Sequence, residues 1–192
     1  MDMKNILFND MLVGFVLGVL TTFFCDFVKK QFYLHRKKGV PSFDLKRCIT
    51  FSDTGDDRIC NIICKTESFV KAEVNFLYND MSCYAGLVLV SSNPFWRPYI
   101  KKGAILDFDI SLQNVQSLCL EFKANVDKER NRVIGAYEIP IVKTHHSIVL
   151  SDICSDVCAW DDVTELVFLV KRYNISSPAK IEIENVNLLF SV

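Results

Sequence analysis

The chain has 192 residues, of which 50% are hydrophobic and 23% are charged, with 15 Phe but only 7 Gly and 5 Pro. This composition excludes a disordered or fibrous protein, and the length suits one domain of about 150 residues with a short appendage. The net charge is −1, but residues 39–192 hold 16 Lys and Arg against 20 Asp and Glu. A mildly acidic domain of this kind is not expected to bind a nucleic acid polymer.

The first predicted element is an apolar helix at residues 11–28, MLVGFVLGVLTTFFCDFV, in which Asp26 is the only charged residue. Eighteen helical residues span about 27 Å, which is enough to cross a thin bilayer. A cleaved signal peptide would need a basic start and a small-residue cleavage motif, whereas this chain begins MDMKN and no A-x-A motif follows. We therefore expect one uncleaved transmembrane helix, with a signal peptide and a buried core helix as the alternatives.

Basic residues follow this helix directly. Residues 29–38 contain five Lys and Arg and no acidic residue, and one Lys precedes the helix. The positive-inside rule then places the N-terminus outside and the following domain in the cytoplasm, which predicts a single-pass membrane protein. Phe32 and Tyr33 suit the headgroup region of the lipid bilayer, although a solvated linker helix is the alternative.

Gly14 and Gly18 form a small-xxx-small pair within the apolar helix. Such a pair lets two transmembrane helices approach closely. The pair predicts packing of the anchor against a second copy, and therefore a homo-oligomer.

Gly39 and Pro41 end the helical pattern, and short strands separated by polar turns follow. In residues 104–112, AILDFDISL, apolar and polar side chains alternate with a period of two. Ten strands are predicted in all, at residues 45–51, 59–65, 70–78, 82–90, 104–112, 117–123, 132–139, 147–150, 165–172 and 180–190. Ten short strands without intervening amphipathic helices predict a mainly β fold, an antiparallel sandwich or barrel.

In the last predicted strand, residues 180–190, the alternation of apolar and polar residues shifts by one position. Its apolar residues run Ile181, Ile183 and then Val186, so the side chains of the two halves would face opposite sides of a regular strand. A β-bulge at Glu184 and Asn185 would return both halves to one core.

The second half of the chain contains the stretches GAILDFDISL, SLCLEFKA, AWDDVTELVFLV and AKIEIENVNLLF. With these stretches, roughly residues 81–192 resemble the galactose-binding-like jelly rolls found in many carbohydrate-binding modules. The residues that match the family's closing pattern are Trp160, Ile181, Ile183, Glu184, Asn185, Val186 and Leu188. The resemblance implies a two-sheet domain at residues 39–192, after an anchor and basic segment at residues 1–38, that binds a ligand on a concave face or a loop end without chemistry. Such modules usually act outside the cell, whereas this domain is predicted to be cytoplasmic.

The eight cysteines are predicted to be structural thiols, and the predicted orientation places seven of them, all except Cys25 of the anchor, in a reducing compartment. The spacing Cys60-x3-Cys64 places its two sulfurs too far apart on a strand for one zinc ion, and only Cys154-x3-Cys158 could lie on a helical turn. We therefore predict no metal site.

No Gly-rich phosphate loop, G-x-S-x-G elbow or H-E-x-x-H motif occurs. His145 and His146 are adjacent on a strand, so at most one of them can serve a site. The sequence therefore predicts a non-enzymatic protein without a cofactor.

The candidate ligand-binding loop is SSNPFWRPYIKKG, residues 91–103. Its two prolines stiffen a segment that is rich in aromatic and basic side chains, as recognition loops are. The alternative is that Phe95 and Trp96 plug one end of the fold. The predicted ligand-binding residues are Phe95, Trp96, Arg97, Tyr99, Lys101 and Lys102.

Two functions follow from these features. In the first, a membrane-anchored, non-catalytic jelly roll recognises a small ligand or a protein partner in the cytoplasm. In the second, the domain is a cytosolic β-barrel that senses a nucleotide signal and acts through clustering of its anchor, and so resembles membrane effectors of bacterial antiphage signalling. Those effectors generally carry two membrane helices, whereas this chain has one predicted.

Overall fold

The structure is a computed structural model that describes residues 21–22, 24–25, 40–56, 58–76, 83–127, 130–140 and 144–190. The chain divides into two compact units, Met1–Gly39 and Val40–Val192. In the first unit Thr21, Thr22, Phe24 and Cys25 are helical. The rest of the predicted anchor, with Gly14, Gly18 and the basic segment, lies outside the described residues. Within the described ranges, none of the helices has the length and apolarity needed to span a bilayer.

The second unit is built mainly from β-strands. The strands are β1 (Ile49–Ser52), β2 (Cys60–Lys65), β3 (Phe69–Val74), β4 (Tyr84–Val90), β5 (Ile105–Val115), β6 (Ser117–Asp127), β7 (Arg130–Pro140), β8 (His145–Val149), β9 (Val163–Lys171) and β10 (Ile175–Leu189). The helices are α1 (Arg97–Ile100) and α2 (Leu150–Ile153), with 3-10 turns at Leu45–Arg47, Val157–Trp160 and Arg172–Asn174. Each of the ten predicted strands overlaps an observed one, although the first predicted strand, residues 45–51, begins with the 3-10 turn and is extended only from Ile49.

The strands form two antiparallel sheets. Sheet I has the order β1-β4-β9-β6-β7, and sheet II has the order β2-β3-β10-β5-β8. Both sheets are open, with strands at their edges, so of the two predicted architectures the sandwich is confirmed and the closed barrel is not. The mainly β prediction is likewise confirmed.

The core lies between the sheets because alternate side chains of each strand point inward. On β5, Leu106, Phe108 and Ile110 are buried, whereas Asp107 and Asp109 lie on the outer face of sheet II. β4 and β9 depart from this pattern, since each contains five consecutive buried residues. These two central strands therefore have apolar side chains on both faces of sheet I.

The predicted bulge in β10 is confirmed. Ile183 pairs with Ile110 on β5, and the register shifts between Glu184 and Asn187. Asn185 takes a left-handed backbone conformation with φ 54°, which Asn tolerates better than most residues. The shift brings Val186 into the core on the same side as Ile183.

Candidate functional site

Trp96 of the predicted binding loop lies in the core. Its side chain is 0% exposed, and its ring contacts Phe43, Phe122 and Trp160 with centroid distances of 5.5, 5.7 and 6.0 Å. The indole Nε1–H donates to Ser91 Oγ at 3.3 Å, so the polar atom of the ring is satisfied. The interpretation of Trp96 as a surface recognition residue is therefore corrected, because a ring packed on three aromatic neighbours presents no surface to a ligand.

The other five predicted residues have different surroundings. Arg97 forms an ion pair with Asp161, and Phe95 is half-buried with its backbone N–H donating to Asn93 Oδ1 at 3.0 Å. Tyr99 packs on Phe190 with ring centroids 4.9 Å apart.

The basic residues of the loop lie at its C-terminal end. Lys102 Nζ lies 5.9 Å from the centroid of the Phe190 ring, and Lys101 and Lys102 are both exposed. The structure thus brings Tyr99 and Lys102 together at Phe190, while Arg97 is engaged with Asp161. Ligand binding by this loop stays a prediction for the exposed residues.

Sheet I carries a second apolar cluster on the face that points away from the core. Val88, Val167 and Leu169 are buried there, and Phe51 and Cys119 pack against them. Buried apolar side chains on an outward sheet face are unusual, because the outer face of a sandwich strand is normally polar. We call this surface, with Tyr84 and Lys123, the outer patch.

Aromatic and charged side chains border the outer patch. The rings of Phe51 and Tyr84 lie 6.2 Å apart, and Lys123 Nζ lies 5.6 Å from the centroid of Phe51. Glu121 and Lys123 approach each other within 3.8 Å. Near the end of β9, a hydrogen bond with Tyr173 raises the pKa of Lys171. The patch therefore combines an apolar floor with groups that can stack and hydrogen-bond.

The outer patch was not predicted from the sequence, although a signal for it exists. The runs YAGLVLV of β4 and VTELVFLV of β9 are too continuously apolar for strands with one solvated face. Such runs indicate burial on both faces. They do not show which aromatic residues of neighbouring strands complete the surface.

The outer face of sheet II carries a polar network across three strands. His145 on β8 lies between two carboxylates of β5, with Nδ1 2.9 Å from Asp109 Oδ1 and Nε2 3.3 Å from Asp107 Oδ1. Ser147 Oγ donates to Asp107 Oδ1 at 2.5 Å, and Asn185 Nδ2 of the β10 bulge donates to Asp109 Oδ2 at 3.0 Å. His146 points to the opposite side, where it is buried and stacks on Phe108, as expected for adjacent strand residues.

Ser147, His145 and Asp109 are the residue types of a Ser-His-Asp triad, and Ser147 Oγ lies 3.3 Å from His145 Nε2. A general base must have a free lone pair on the nitrogen that faces the nucleophile. Here the hydrogen bond to Asp109, with the charge of Asp107, raises the pKa of His145 and favours the doubly protonated ring. Ser147 moreover donates its proton to Asp107. The network is therefore arranged as an ion-pair cluster and not as an activated nucleophile.

A shallow depression of about 180 Å3 lies beside this network, lined by Asp109, Ile110, Ser111, Thr144, Glu182 and Glu184. Glu182 is paired with Lys71 on β3, with Nζ and Oε1 2.6 Å apart. The groups around the depression are thus hydroxyls and carboxylates.

All eight cysteines are free thiols. Burial raises the pKa of Cys48 and of Cys60 to about 12, which makes both thiols poor nucleophiles and poor metal ligands at neutral pH. In the part of the chain that the structure describes, no three His, Cys, Asp or Glu residues are grouped as a metal ion would need.

No protein-family model matches the chain, and no curated protein shows significant similarity to it. Solved structures do match. A family 30 carbohydrate-binding module shares 15% identity at a TM-score of 0.56, over 80% of this chain and 100% of that one. The family 11 module of a cellulosomal cellulase of Clostridium thermocellum shares 14% identity at a TM-score of 0.54, over 79% of this chain and 95% of that one.

A third solved structure is the family 11 module from Clostridium thermocellum in complex with a β-1,3-1,4-mixed-linked tetrasaccharide. It shares 16% identity at a TM-score of 0.54, over 81% of this chain and 92% of that one. At this level of identity the likeness shows the fold. The predicted resemblance to carbohydrate-binding-module jelly rolls is confirmed in that sense, and it extends beyond the second half of the chain.

Proposed function

We propose that the β-sandwich unit is a non-catalytic ligand-binding domain, and that the outer patch of sheet I binds a carbohydrate-like, polyhydroxylated ligand. The observation that carries the proposal is the pair of aromatic rings on this face, the exposed Tyr84 and the half-buried Phe51, whose centroids lie 6.2 Å apart beside the buried cluster of Val88, Val167 and Leu169. Accessible aromatic and charged side chains that are grouped on an outer face are a feature of binding surfaces.

The chemistry of the patch suits a sugar ring. A pyranose has an apolar face of C–H groups, which an aromatic side chain can contact, and a rim of hydroxyls that needs hydrogen-bond partners. Phe51 and Tyr84 offer the aromatic contacts, and Glu121 and Lys123 offer an acceptor and donors at the border. The jelly-roll fold shared with carbohydrate-binding modules supports the same ligand class.

The loop residues Tyr99, Lys101 and Lys102 are proposed as a separate contact region for a protein partner. Tyr99 and Lys102 both lie against Phe190, at the end of the chain's last strand. Aromatic side chains such as Tyr99 are enriched at the core of protein interfaces, and charged side chains such as Lys101 and Lys102 belong to their polar rim.

The membrane part of the proposal rests on the sequence. We propose that residues 11–28 anchor the protein in a bilayer, with the sandwich on the cytoplasmic side. Gly14 and Gly18 are proposed to pack two anchors together. Crosslinking of the full-length protein should then weaken in the double variant Gly14→Leu and Gly18→Leu, and unchanged crosslinking would remove this role.

Nucleotide sensing is the second candidate. Lys46 and Lys65, together with Thr66, Glu67 and Ser68, line an open depression of about 400 Å3, where two cations and two hydroxyls could contact a phosphate group. The depression on sheet II, by contrast, is lined by the carboxylates of Asp109, Glu182 and Glu184, which would repel phosphate groups. Nucleotides are included in the ligand panel, because binding of a nucleotide would favour the sensing function over carbohydrate binding.

The test is a thermal-shift screen of the full-length protein in detergent against oligosaccharides and nucleotides, followed by titration of each hit. Tyr84 and Tyr137 form a matched pair, since both are exposed tyrosines on sheet I at 40% and 37%, and only Tyr84 borders the outer patch. Tyr84→Ala should weaken oligosaccharide binding about tenfold, whereas Tyr137→Ala should leave it unchanged. Stabilisation by nucleotides alone, or equal losses in the two variants, would overturn the proposal.

A further inference from the structure

Strand β8 lies at an edge of sheet II, where its neighbour among the described strands is β5. The two strands pair over five residues, with His145 opposite Asp109 and Ser147 opposite Asp107. The side chain of His145 adds an ion-pair bridge to this short ladder, because its two ring nitrogens face two different carboxylates of β5. A short edge strand with one neighbour is the part of a sheet that opens most easily.

Among the described residues, the strands packed against His145 contribute the following charged groups. β5 contributes Asp107 and Asp109, and β10 contributes Glu184, which pairs in register with Asp109, and Glu182, which is neutralised by Lys71. On β8 itself, Ser147 shares this face while His146 lies on the buried side. The surroundings are therefore negative and favour the imidazolium form of His145.

We propose that His145 is a pH-sensitive clamp, which holds edge strand β8 to β5 more tightly when the imidazole is protonated and less tightly when it is neutral. A neutral ring has one N–H donor, so it can bridge only one of the two carboxylates. Asn185 fixes Asp109 from the β10 bulge, so the clamp joins β8, β5 and β10. Beyond β8 the chain enters α2, whose Leu150 N–H donates to Ala104 O at 3.0 Å.

The sign of the pH dependence follows from the two partners. The hydrogen bond to Asp109, followed by the charge of Asp107, raises the pKa of His145 above its usual 6.5. The stabilisation is therefore complete below pH 6.5 and is lost as the pH rises through the raised folded value. Hydrogen bonds from Asn185 and then from His145 lower the pKa of Asp109 below its usual 3.8. The stabilisation that comes from the ionised Asp109 is therefore lost only in stronger acid. The clamp is closed between these limits.

The experiment is amide hydrogen exchange of the full-length protein in detergent, followed by mass spectrometry of peptides from β8 at several pH values from about 5.5 to 9. Dividing the exchange rate of His145→Gln by that of the wild type at each pH removes the intrinsic pH dependence of exchange. The ratio should be about two- to fivefold at the acid end, as for an exposed ion pair, and should approach one at the alkaline end. Peptides from β6 serve as an internal reference for intact folding.

Two further variants test the role of charge. His145→Lys keeps a cation at this position up to a pH of about 9. The protection of its β8 amides against hydrogen exchange, relative to His145→Gln, should therefore not decline as the pH rises. Asp107→Asn should lower the pH midpoint at which the ring protons of His145 titrate, as measured by NMR. This variant removes one negative charge and leaves the His145 side chain itself in place. A pH-independent wild-type ratio, or an unshifted midpoint in Asp107→Asn, would overturn the proposal.

Discussion

The indole rings of Trp96 and Trp160 stack with their centroids 6.0 Å apart and their planes inclined by 29°. Both side chains are fully buried, and Trp160 Nε1–H donates to Cys154 O at 2.9 Å. The pair lies beside Phe122 of sheet I, at 5.7 Å from Trp96 and 5.0 Å from Trp160. The loop that contains Trp96 is thus attached to the core through its largest side chain.

Trp96→Ala is expected to lower the free energy of unfolding by about 3 to 5 kcal/mol, because it removes the ring from a packed aromatic cluster and leaves a cavity. Tyr173→Ala is the control, since this ring is half exposed and its removal should change stability by less than about 0.5 kcal/mol. Chemical denaturation of the full-length variants measures both values. A loss below about 1 kcal/mol for Trp96→Ala would contradict the core position.

Gly86 on β4 is expected to tolerate no side chain. A Cβ at this position would lie 1.9 Å from the carbonyl oxygen of Phe168 on the neighbouring strand β9, and backbone atoms cannot turn aside as a side chain can. Gly86→Ala should therefore cost more than about 3 kcal/mol or prevent folding, as judged by circular dichroism and thermal unfolding. Gly55→Ala meets no atom within 4 Å and should cost only about 1 to 2 kcal/mol from its positive φ. Equal effects of the two changes would contradict the close approach of β4 and β9.

The sequence predicted the strands well because apolar and polar residues alternate along most of them, and the parity change in β10 located its bulge correctly. The burial of Trp96 was not predicted, because it depends on Phe43, Phe122 and Trp160, and all three lie on other segments of the chain. Local pattern shows that a residue is aromatic and that its loop is stiff. It does not show whether a core position is open to receive the ring.

The two outer faces were not predicted for a related reason. Asp109 meets His145 and Asn185, which are 36 and 76 residues away in sequence, only because β8, β5 and β10 are neighbours in sheet II. Likewise, Phe51 and Tyr84 meet because β1 pairs with β4. The order of strands in a sheet depends on long-range pairing, which periodicity does not specify.

Ser147 is expected to be unreactive towards a fluorophosphonate, the reagent that labels activated serines. Its hydroxyl donates to Asp107, and His145 is held as an ion-pair partner and not as a base. Mass spectrometry of the intact protein after incubation should show no adduct, alongside a serine hydrolase as the positive control. An adduct that disappears in Ser147→Ala would contradict the non-catalytic proposal.

The cysteines give a test of membrane topology that also checks their burial. Cys64 and Cys158 are exposed on the sandwich unit, whereas Cys48 and Cys60 are buried with a pKa of about 12. At pH 7 only about one in a hundred thousand of the buried thiols would be ionised, so their reaction with a maleimide should require unfolding. Cys64 and Cys158 should be modified in the folded protein.

If the sandwich faces the cytoplasm, a membrane-impermeant maleimide added to intact cells should leave Cys64 and Cys158 unmodified, and permeabilisation should expose both to the reagent. Peptide mapping by mass spectrometry assigns each label, and Cys48 and Cys60 should stay unlabelled in both samples until denaturant is added. Labelling of Cys64 and Cys158 in intact cells would reverse the proposed orientation. It would place the jelly roll outside the cell, where an extracellular oligosaccharide would become the expected ligand of the outer patch.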